Sequence, residues 1–436
     1  MEKIYLLSLG CPKNLVDSEN IMALLGEKEY ILTDSPDIAD IIIINTCAFL
    51  KSAVKESKAA IKYFTDNNQY KHKKIVVCGC LVQRYGEELF KLNGVDGISG
   101  ISNPEETVKV VEQVKSNSRI TSYNVIPNIS PNCSPRLVST YPYAYIKISE
   151  GCDNLCSYCL IPKLRGRLTS RSESDILNEA ESLLEMGIKE LIIIAQDTSS
   201  YGWDTGNRNG LENLLSKLAK LKFPRIRIMY SHPAHITKNV LDIIQKEKNI
   251  CKYIDIPLQH IHPEILQKMN RPVLDYGKLI DNIRETVPEI RLRTTFIVGF
   301  PGETDEHFEK LVEFVKEKKF DRLGVFKYSR EKETEAFKLK EQIKKRVKLE
   351  RERILMEIQK DISKRNLEKF IGKTLKVLVE GKEDDFYVGR SEFDAPEIDG
   401  NVYIETKTKK IVNGDIKKVK IIGSTEHDLF GILPNL

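Results

Sequence analysis

Three cysteines in the middle of the chain have a spacing that suits metal chemistry. Cys152, Cys156 and Cys159 form a CxxxCxxC run. Three thiolates at this spacing can hold three corners of a cubane iron–sulfur cluster. No fourth cysteine follows at short range, so one iron would stay open to bind another molecule. A zinc knuckle is the alternative, but it needs a fourth ligand, and the nearest histidines, such as His232, are far away in the sequence.

A second set of cysteines is spread over the first part of the chain. Cys11, Cys47 and Cys80 each come at or just after the end of a short apolar run that is typical of a strand. The carboxyl ends of parallel strands lie along one edge of a sheet, so these three thiols could converge there. Three buried structural thiols are the alternative, because free cysteine is often buried. The other cysteines have no comparable context: Cys78, Cys133 and Cys251.

The composition favours metal or redox chemistry over disulfide bonds. The 436 residues include nine cysteines, an odd number, and no secretion signal precedes them. A net charge of +5 and 41% hydrophobic residues are ordinary for a globular protein and exclude a histone-like one. The longest apolar run, residues 39–50, is interrupted by polar residues, so we expect no membrane span and a cytoplasmic protein.

The elements that must position the first cysteines alternate between strand and helix. Apolar runs at 4–9, 41–44 and 75–77 predict strands, and the spacing of apolar residues predicts helices over 17–27 and 52–64. We therefore expect a doubly wound parallel sheet over residues 1–116. Residues 117–139 are polar and contain prolines, which predicts a linker.

The rest of the chain predicts two further domains and a helix between them. Residues 140–337 contain strand and helix patterns in alternation, which favours a partial (βα) barrel. Six strands are expected: 144–148, 190–195, 225–230, 253–256, 293–298 and 322–326. Residues 338–370 predict a charged connecting helix. Residues 371–436 contain only short β-branched runs separated by Gly and Asp, which is typical of a small antiparallel β-barrel.

Taken together, these features resemble the radical S-adenosylmethionine (SAM) methylthiotransferase family over nearly the full length. The CxxxCxxC run carries an aromatic residue, Tyr158, before its last cysteine, as in the radical SAM superfamily. The resemblance implies that SAM chelates the open iron of that cluster. It also implies a second [4Fe–4S] cluster on Cys11, Cys47 and Cys80, an electron donor such as flavodoxin or ferredoxin, and a C-terminal TRAM module. Cys80 is better placed than Cys78, because it follows a glycine as Cys11 does.

The resemblance also implies where SAM binds. Residues 294–303 form an apolar run that ends in a Gly-rich turn with a carboxylate, although a plain strand-to-helix turn would have the same pattern. Gln196 and Asp197 follow another strand, where a helix cap is the alternative, and His260 follows a third. The expected cofactor-binding residues are Tyr158, Gln196, Gly299 and Glu303. Three arginines could meet an anion or form a solvated surface: Arg165, Arg167 and Arg171.

Two observations favour a protein substrate. Residues 10–19 resemble the branch of the family that modifies an aspartate of ribosomal protein uS12, whereas the tRNA branch typically has Gln-Met or similar in place of Pro12 and Lys13. Segment 383–400 contains seven acidic residues and one arginine, which suits a basic ribosomal protein better than RNA, unless it is merely a solvated turn.

The expected function is therefore the insertion of a methylthio group at the β-carbon of an aspartate in uS12. The resemblance implies that one SAM molecule donates the methyl group and another is the source of a radical. Two alternatives stay open. One is a tRNA adenosine methylthiotransferase, and the other is an iron–sulfur redox or scaffold protein without SAM chemistry.

Overall fold

The computed structural model describes residues 1–101, 103–116, 119–123, 136–405 and 411–434. The linker predicted at 117–139 lies largely outside these residues, and so does Cys133. Its described residues 120–122 form a strand that pairs with 97–99, so the prediction of a linker is wrong there. Within the described residues, no helix is both long and apolar enough to cross a membrane.

The first part of the chain forms a parallel sheet of six strands, here called the N-terminal sheet. Its strand order is β2-β1-β3-β4-β5-β6. The strands are β1 (Lys3–Ser8), β2 (Ile31–Leu32), β3 (Ile41–Thr46), β4 (Lys74–Gly79), β5 (Gly97–Ser99) and β6 (Ile120–Ser122). The helices are α1 (Pro12–Glu27), α2 (Lys51–Asp66), α3 (Cys80–Tyr85) and α4 (Pro104–Gln113). Every residue of β3 is buried, because helices cover both faces of the sheet.

Helix α1 begins earlier than its apolar spacing indicated. It starts at Pro12 and not at residue 17. Proline is favoured in the first helical turn, because its missing N–H would have no partner there and its φ angle is already helical. The earlier start places Lys13 and Asn14 in the first turn, directly after Cys11.

The middle of the chain forms the central barrel, an incomplete ring of six parallel strands. Two three-stranded sheets, β11-β10-β7 and β12-β13-β14, are joined by a parallel bridge between Ile226 and Ile250. The ring strands are β7 (Tyr143–Lys147), β10 (Glu190–Ile194), β11 (Arg225–Ile228), β12 (Tyr253–Asp255), β13 (Arg291–Val298) and β14 (Arg322–Lys327), and a short antiparallel pair is formed by β8 (Ser149–Glu150) and β9 (Thr169–Ser170). All six predicted strands are present, so the partial barrel is confirmed.

Helices surround the central barrel and enclose a large apolar core. They are α5 (Ile161–Arg165), α6 (Glu173–Glu185), α7 (Gly210–Leu218), α8 (Lys238–Lys246), α9 (Pro263–Lys268), α10 (Tyr276–Thr286) and α11 (Asp305–Lys318). The connecting helix α12 (Lys345–Glu368) packs against α11 and β14. It begins later than the predicted 338, because the preceding residues cross the turn at Gly302, whose N–H donates to the Glu341 carbonyl at 2.9 Å.

The last part of the chain forms a small closed barrel, as expected. Its strand order is β15-β16-β17-β19-β18, and β17 and β19 pair in parallel while the other pairs are antiparallel. The strands are β15 (Thr374–Glu383), β16 (Phe386–Ser391), β17 (Val402–Glu405), β18 (Ile416–Ser424) and β19 (Leu429–Ile432).

Two carboxylates of the acidic segment 383–400 face the central barrel, whereas Glu383, Asp384, Asp385 and Glu397 are exposed. Asp394 is 4% exposed and pairs with Arg322 of the central barrel, with 2.5 Å between carboxylate and guanidinium. The Asp399 side chain is fully buried and pairs with Arg293 at 2.7 Å. These two carboxylates attach the small barrel to the central barrel. The expectation that they face a basic partner is therefore wrong.

Candidate cluster and cofactor sites

The three N-terminal thiols come together because their strands are neighbours in register. Strand β3 lies between β1 and β4, and Asn45 is aligned with both Ser8 and Cys78 across the sheet. The three strands therefore end at the same level. Cys47 and Cys80 follow the ends of β3 and β4 directly, and Cys11 comes three residues after the end of β1, so all three lie at one edge of the N-terminal sheet.

Two glycines allow the thiols to approach. Gly10 has a φ angle of +97°, and a Cβ added there would lie 2.6 Å from the Cβ of Cys47. Gly79 has a φ angle of +93°, and a Cβ added there would lie 2.3 Å from Asn45 Oδ1. Both positions require a left-handed backbone and a close backbone approach, which only glycine supplies without strain. The glycines thus bring the loop at Cys11 against Cys47 and start α3 at Cys80.

Two asparagines hold this edge in place. Asn14 Nδ2 donates to the carbonyl oxygens of Leu9 at 3.0 Å and Thr46 at 2.9 Å. Asn45 Nδ2 donates to the Asn14 carbonyl at 2.9 Å and to Ser18 Oγ at 2.8 Å. These hydrogen bonds join the Cys11 loop, α1 and β3 through buried amides. They fix the backbone positions of the residues that carry the thiols.

The surroundings of Cys78 and Cys80 differ. Cys78 belongs to β4 and packs among apolar side chains of the sheet and of α1 and α4. Cys80 is close enough to Cys11 and Cys47 for their charges to raise its pKa. Burial raises the pKa of the Cys80 thiol to about 12, opposed by the nearby Arg165 guanidinium. A thiolate there needs further positive charge, which a metal would supply.

The CxxxCxxC loop holds the second set of thiols after β8. The backbone N–H groups of Asn154 and Ile161 donate to the sulfurs of Cys152 and Cys159, each at 3.4 Å. Burial raises the pKa of Cys152 to about 11 and that of Cys159 to about 12. As at the sheet edge, these thiols need a cation to become stable thiolates.

A buried arginine stands beside the middle thiol of this loop. Arg271 Nη1 lies 3.9 Å from the sulfur of Cys156, and its Nη2 donates to the Pro257 carbonyl at 2.9 Å. Arg271 is 6% exposed. A fixed guanidinium at this distance stabilises negative charge on the sulfur.

One guanidinium lies between the two thiol sets. Arg165 Nη1 donates to both carboxylate oxygens of Glu150 at 3.0 Å, and Glu150 stands two residues before Cys152. Arg165 Nη2 donates to Asn14 Oδ1 at 2.5 Å, and Asn14 lies in the first turn of α1, three residues after Cys11. Arg165 is 2% exposed, so the solvated-surface interpretation is wrong for this residue. It is correct for Arg167, whose side chain is 84% exposed.

The rim of the central barrel carries polar atoms that fit a polar ligand. Four buried side-chain atoms at the carboxyl ends of β7, β10 and β11 have no hydrogen-bond partner among the residues that the structure describes. They are Ser149 Oγ, Gln196 Oε1, Ser231 Oγ and His232 Nε2. Buried polar atoms usually have a hydrogen-bond partner, so a polar ligand at this rim could complete the bonding of these four. Gln196, an expected contact, is fixed by a 2.5 Å bond from its Nε2 to Glu150.

Two other expected SAM contacts, Glu303 and Gly299, take part in the turn after β13. The Glu303 carboxylate accepts from the N–H of Gly299 at 2.8 Å and pairs with Arg351 of α12 at 2.6 Å. It is 1% exposed and closes its own turn. A Cβ added at Gly299 would meet Lys348 Cγ of α12 at 2.3 Å, so this glycine admits the helix. Both residues build the turn, and their contact with SAM stays a prediction. Tyr158 packs edge-on against Phe300 near Cys156.

A histidine cluster beside the CxxxCxxC loop escaped the sequence analysis. Asp197, His232 and His235 each bring one possible ligand atom within 4.8 Å of the others. The Asp197 carboxylate is already occupied, because it accepts from Asn154 Nδ2 at 2.7 Å and from the N–H of Ser199 at 3.1 Å, and lies 2.7 Å from His235 Nδ1. Asp197 is thus the cap that was the alternative interpretation, and it ties the loop to the barrel rim.

His260, by contrast, is not exposed to the rim. Its side chain is fully buried, and its Nε2 lies 3.8 Å from Glu303. Burial lowers the pKa of His260 to about 3, so the ring is neutral. The residues that sequence reasoning missed are Lys13, Asn14, Glu150, His235 and Arg271. The signal that could have found Glu150 is its place in the sequence: it is a charged residue two positions before Cys152, where burial is expected.

Comparison with protein families divides the chain into three matched parts. Residues 3–100 match the Uncharacterized protein family UPF0004, residues 146–315 match the Radical SAM superfamily, and residues 371–433 match the TRAM domain. These parts correspond to the N-terminal sheet, the central barrel and the small closed barrel.

Solved structures are similar in fold alone. The radical SAM methyltransferase TsrM from Kitasatospora setae is 15% identical with a TM-score of 0.55, covering 75% of this chain and 73% of that chain. The cobalamin-dependent SAM radical enzyme OxsB is 12% identical with a TM-score of 0.54, covering 77% of this chain and 54% of that chain.

Curated relatives match from end to end. The ribosomal protein uS12 methylthiotransferase RimO of Thermoanaerobacter sp. is 44% identical over 99% of this chain and 100% of the relative. The proteins of the same name from Caldanaerobacter subterraneus and Clostridioides difficile are 46% and 45% identical, over 99% of this chain and 100% and 98% of the relatives. At this identity and coverage, the chain belongs to the ribosomal protein uS12 methylthiotransferase family.

Proposed function

We propose that this chain is a radical SAM enzyme that inserts a methylthio group at the β-carbon of an aspartate in ribosomal protein uS12. The observation that carries the proposal is the pairing of two three-thiol sets. Both sets stand at the carboxyl ends of parallel strands, and Arg165 lies between them. Each set leaves one iron of a cubane without a protein ligand. Two open irons, one at each side of a buried layer, suit a reaction that brings two different groups to one substrate carbon.

The radical SAM match implies SAM and an iron–sulfur cluster as cofactors. We infer that Cys152, Cys156 and Cys159 are the ligands of that cluster. We add a second [4Fe–4S] cluster on Cys11, Cys47 and Cys80. When bound on these cysteines, the first cluster and SAM would supply a carbon-centred radical, and the second cluster would supply the site for the sulfur that another SAM molecule methylates. The unpartnered atoms at the barrel rim would bind SAM, and Gln196 would orient it.

The chain's own residues hold these reactive groups at fixed positions. Arg271 stabilises charge at Cys156, and Asn14 and Asn45 hold the edge that bears the other thiols. Glu150 connects both regions, because it accepts from Arg165 and from Gln196. An electron must reach the first cluster from outside, and an electron carrier such as flavodoxin or ferredoxin would supply it.

The substrate assignment rests on the relatives and on the motif at residues 10–19. The relatives are named for uS12 and match this chain over their whole length. The acidic segment gives less support than its composition suggested, because Asp394 and Asp399 face the central barrel. The alternative substrate, tRNA, is therefore tested directly.

The decisive experiment is anaerobic cluster reconstitution followed by incubation with SAM, reductant and either uS12 or tRNA. Mass spectrometry should show the mass of a methylthio group on one uS12 aspartate and no change in tRNA. Cys156→Ala should release no 5′-deoxyadenosine above background, whereas Cys78→Ala, a cysteine outside both sets, should behave as wild type. Methylthiolation of tRNA with uS12 unmodified would refute the substrate, and normal turnover by Cys156→Ala would refute the radical chemistry.

A further inference from the structure

Lys13 lies in the layer between the N-terminal sheet and the central barrel, and no side chain that the structure describes forms an ion pair with it. The residue is 8% exposed. Its Nζ lies 3.6 Å from the centroid of the Tyr230 ring. Within the part of the chain that the structure describes, the ammonium meets this ring but no carboxylate and no hydrogen-bond acceptor. A ring face offsets only part of what a cation loses on burial.

The other cations and anions of this layer are already paired. Lys147 lies 2.8 Å from Glu150, and Arg165 lies 3.0 Å from the same carboxylate. Asp255, on the barrel side, accepts from the N–H of Tyr230 at 3.2 Å and lies 3.9 Å from Arg293. Lys13 is thus a buried cation beside carboxylates that are committed to other partners. A carboxylate that binds from outside would give this ammonium a direct partner.

The position of Lys13 indicates which anion that is. The residue follows Cys11 by two positions, and Tyr230 directly precedes Ser231 and His232, whose side chains carry unpartnered atoms at the barrel rim. The ammonium therefore stands between the N-terminal thiols and the barrel rim. It is also in the first turn of α1, a 16-residue helix whose N-terminus favours negative charge.

We propose that Lys13 binds the side-chain carboxylate of the substrate aspartate. The inference rests on the proposed function and adds the residue that recognises the substrate. In aspartate the β-carbon is bonded directly to the carboxylate carbon. An ammonium that holds the carboxylate thus fixes the reacting carbon one bond away, between the two thiol sets. Lys13 then distinguishes aspartate from asparagine, which has the same shape without the charge.

The test compares the binding of two uS12 forms to reconstituted enzyme with SAM under anaerobic conditions. One form is natural uS12, and the other carries asparagine at the aspartate that mass spectrometry identifies as modified. Competition against labelled uS12 gives both dissociation constants. Wild-type enzyme should bind the aspartate form about 10- to 100-fold more tightly, the range expected for a hydrogen bond to a charged group. Lys13→Gln should bind both forms equally, and Lys13→Arg should restore part of the preference.

The matched control is Lys115→Gln. Lys115 also lies over a tyrosine ring, 4.5 Å from the centroid of Tyr30, but near the beginning of the first strands. It should keep the wild-type preference. An unchanged preference in Lys13→Gln would overturn the inference. A shift in the redox potential of the N-terminal cluster with unchanged preference would likewise overturn it, by showing that Lys13 only balances the charge on Cys11. Failure of wild-type enzyme to modify uS12 would instead refute the proposed function.

Discussion

Replacing Arg165 with methionine tests whether one buried guanidinium joins the N-terminal sheet to the central barrel. Methionine keeps much of the length and the apolar stem but removes all the donors. Glu150 would lose two hydrogen bonds of 3.0 Å, and Asn14 Oδ1 would lose one of 2.5 Å. Asp17 would lose a cation that lies 3.3 Å away. The side chain is 2% exposed, so water cannot replace these contacts.

The expected loss follows from the partners that stay behind. Removing one member of a buried ion pair typically costs about 3–5 kcal/mol, because the other charge stays buried. Lys147 still lies 2.8 Å from Glu150 in the variant and compensates part of its charge. The loss should therefore fall at the lower end, about 3 kcal/mol. For a domain of about 200 residues, such as the central barrel, a loss of about 3 kcal/mol corresponds to a melting temperature roughly 6–12 °C lower.

Calorimetry on iron-free protein measures this loss without any contribution from the clusters. Arg167→Met is the matched control, because Arg167 stands two residues away and pairs with Asp153 at 2.9 Å in the solvent. Exposed pairs contribute little to stability, so this variant should melt as wild type does. Equal melting temperatures for all three proteins, or equal losses in the two variants, would refute the role assigned to Arg165.

Three further predictions concern the thiols, a buried histidine and the attachment of the small barrel. Cys80→Ala should halve the iron and sulfide content of reconstituted protein, whereas Cys78→Ala should leave it unchanged, and the reverse result would exchange their roles. Burial lowers the pKa of His260 from 6.5 to about 3, so its contribution to stability is complete above pH 6.5 and is lost as the pH falls toward 3. Urea titrations at each pH should show that His260→Asn flattens this acid loss by on the order of 4 kcal/mol; equal slopes would contradict it. Arg390→Met should cost about 3–5 kcal/mol, because it leaves Glu190 with fewer cations in a buried site, and limited trypsin digestion should then cut between the two barrels; resistance equal to wild type would refute this.

The overall architecture was predictable because alternating strands and helices have few possible arrangements. Six ring strands were expected and six are present. The same logic placed Cys11, Cys47 and Cys80 at strand ends, where a parallel sheet brings them to one edge. Strands of two or three residues, such as Ile31–Leu32, were missed, because so short a run has no period of its own.

The ligand contacts were less predictable, because a motif shows which residues are present but not which partners they choose. Glu303 follows a Gly-rich turn and was expected to meet SAM, yet its carboxylate serves the turn and Arg351. The partner comes from α12, 48 residues later in the chain. Asp394 likewise turns toward Arg322 of another domain. Net charge along a segment does not determine which charges face solvent, because long-range pairing decides that.

Helical geometry explains why one short motif can serve both the thiol edge and the barrel. Residues four apart lie on the same face of a helix. In α1, Asn14 and Ser18 bond to the sheet edge, while Lys13 and Asp17 reach the central barrel, at Tyr230 and Lys147 respectively. These two faces exist because the helix begins at Pro12. A helix that begins at residue 17, as expected from the sequence, would not include Lys13 and Asn14, so the two faces were not predicted. One face of the first turn of α1 therefore positions the N-terminal thiols. The other face places the Lys13 ammonium in the layer between the N-terminal sheet and the central barrel.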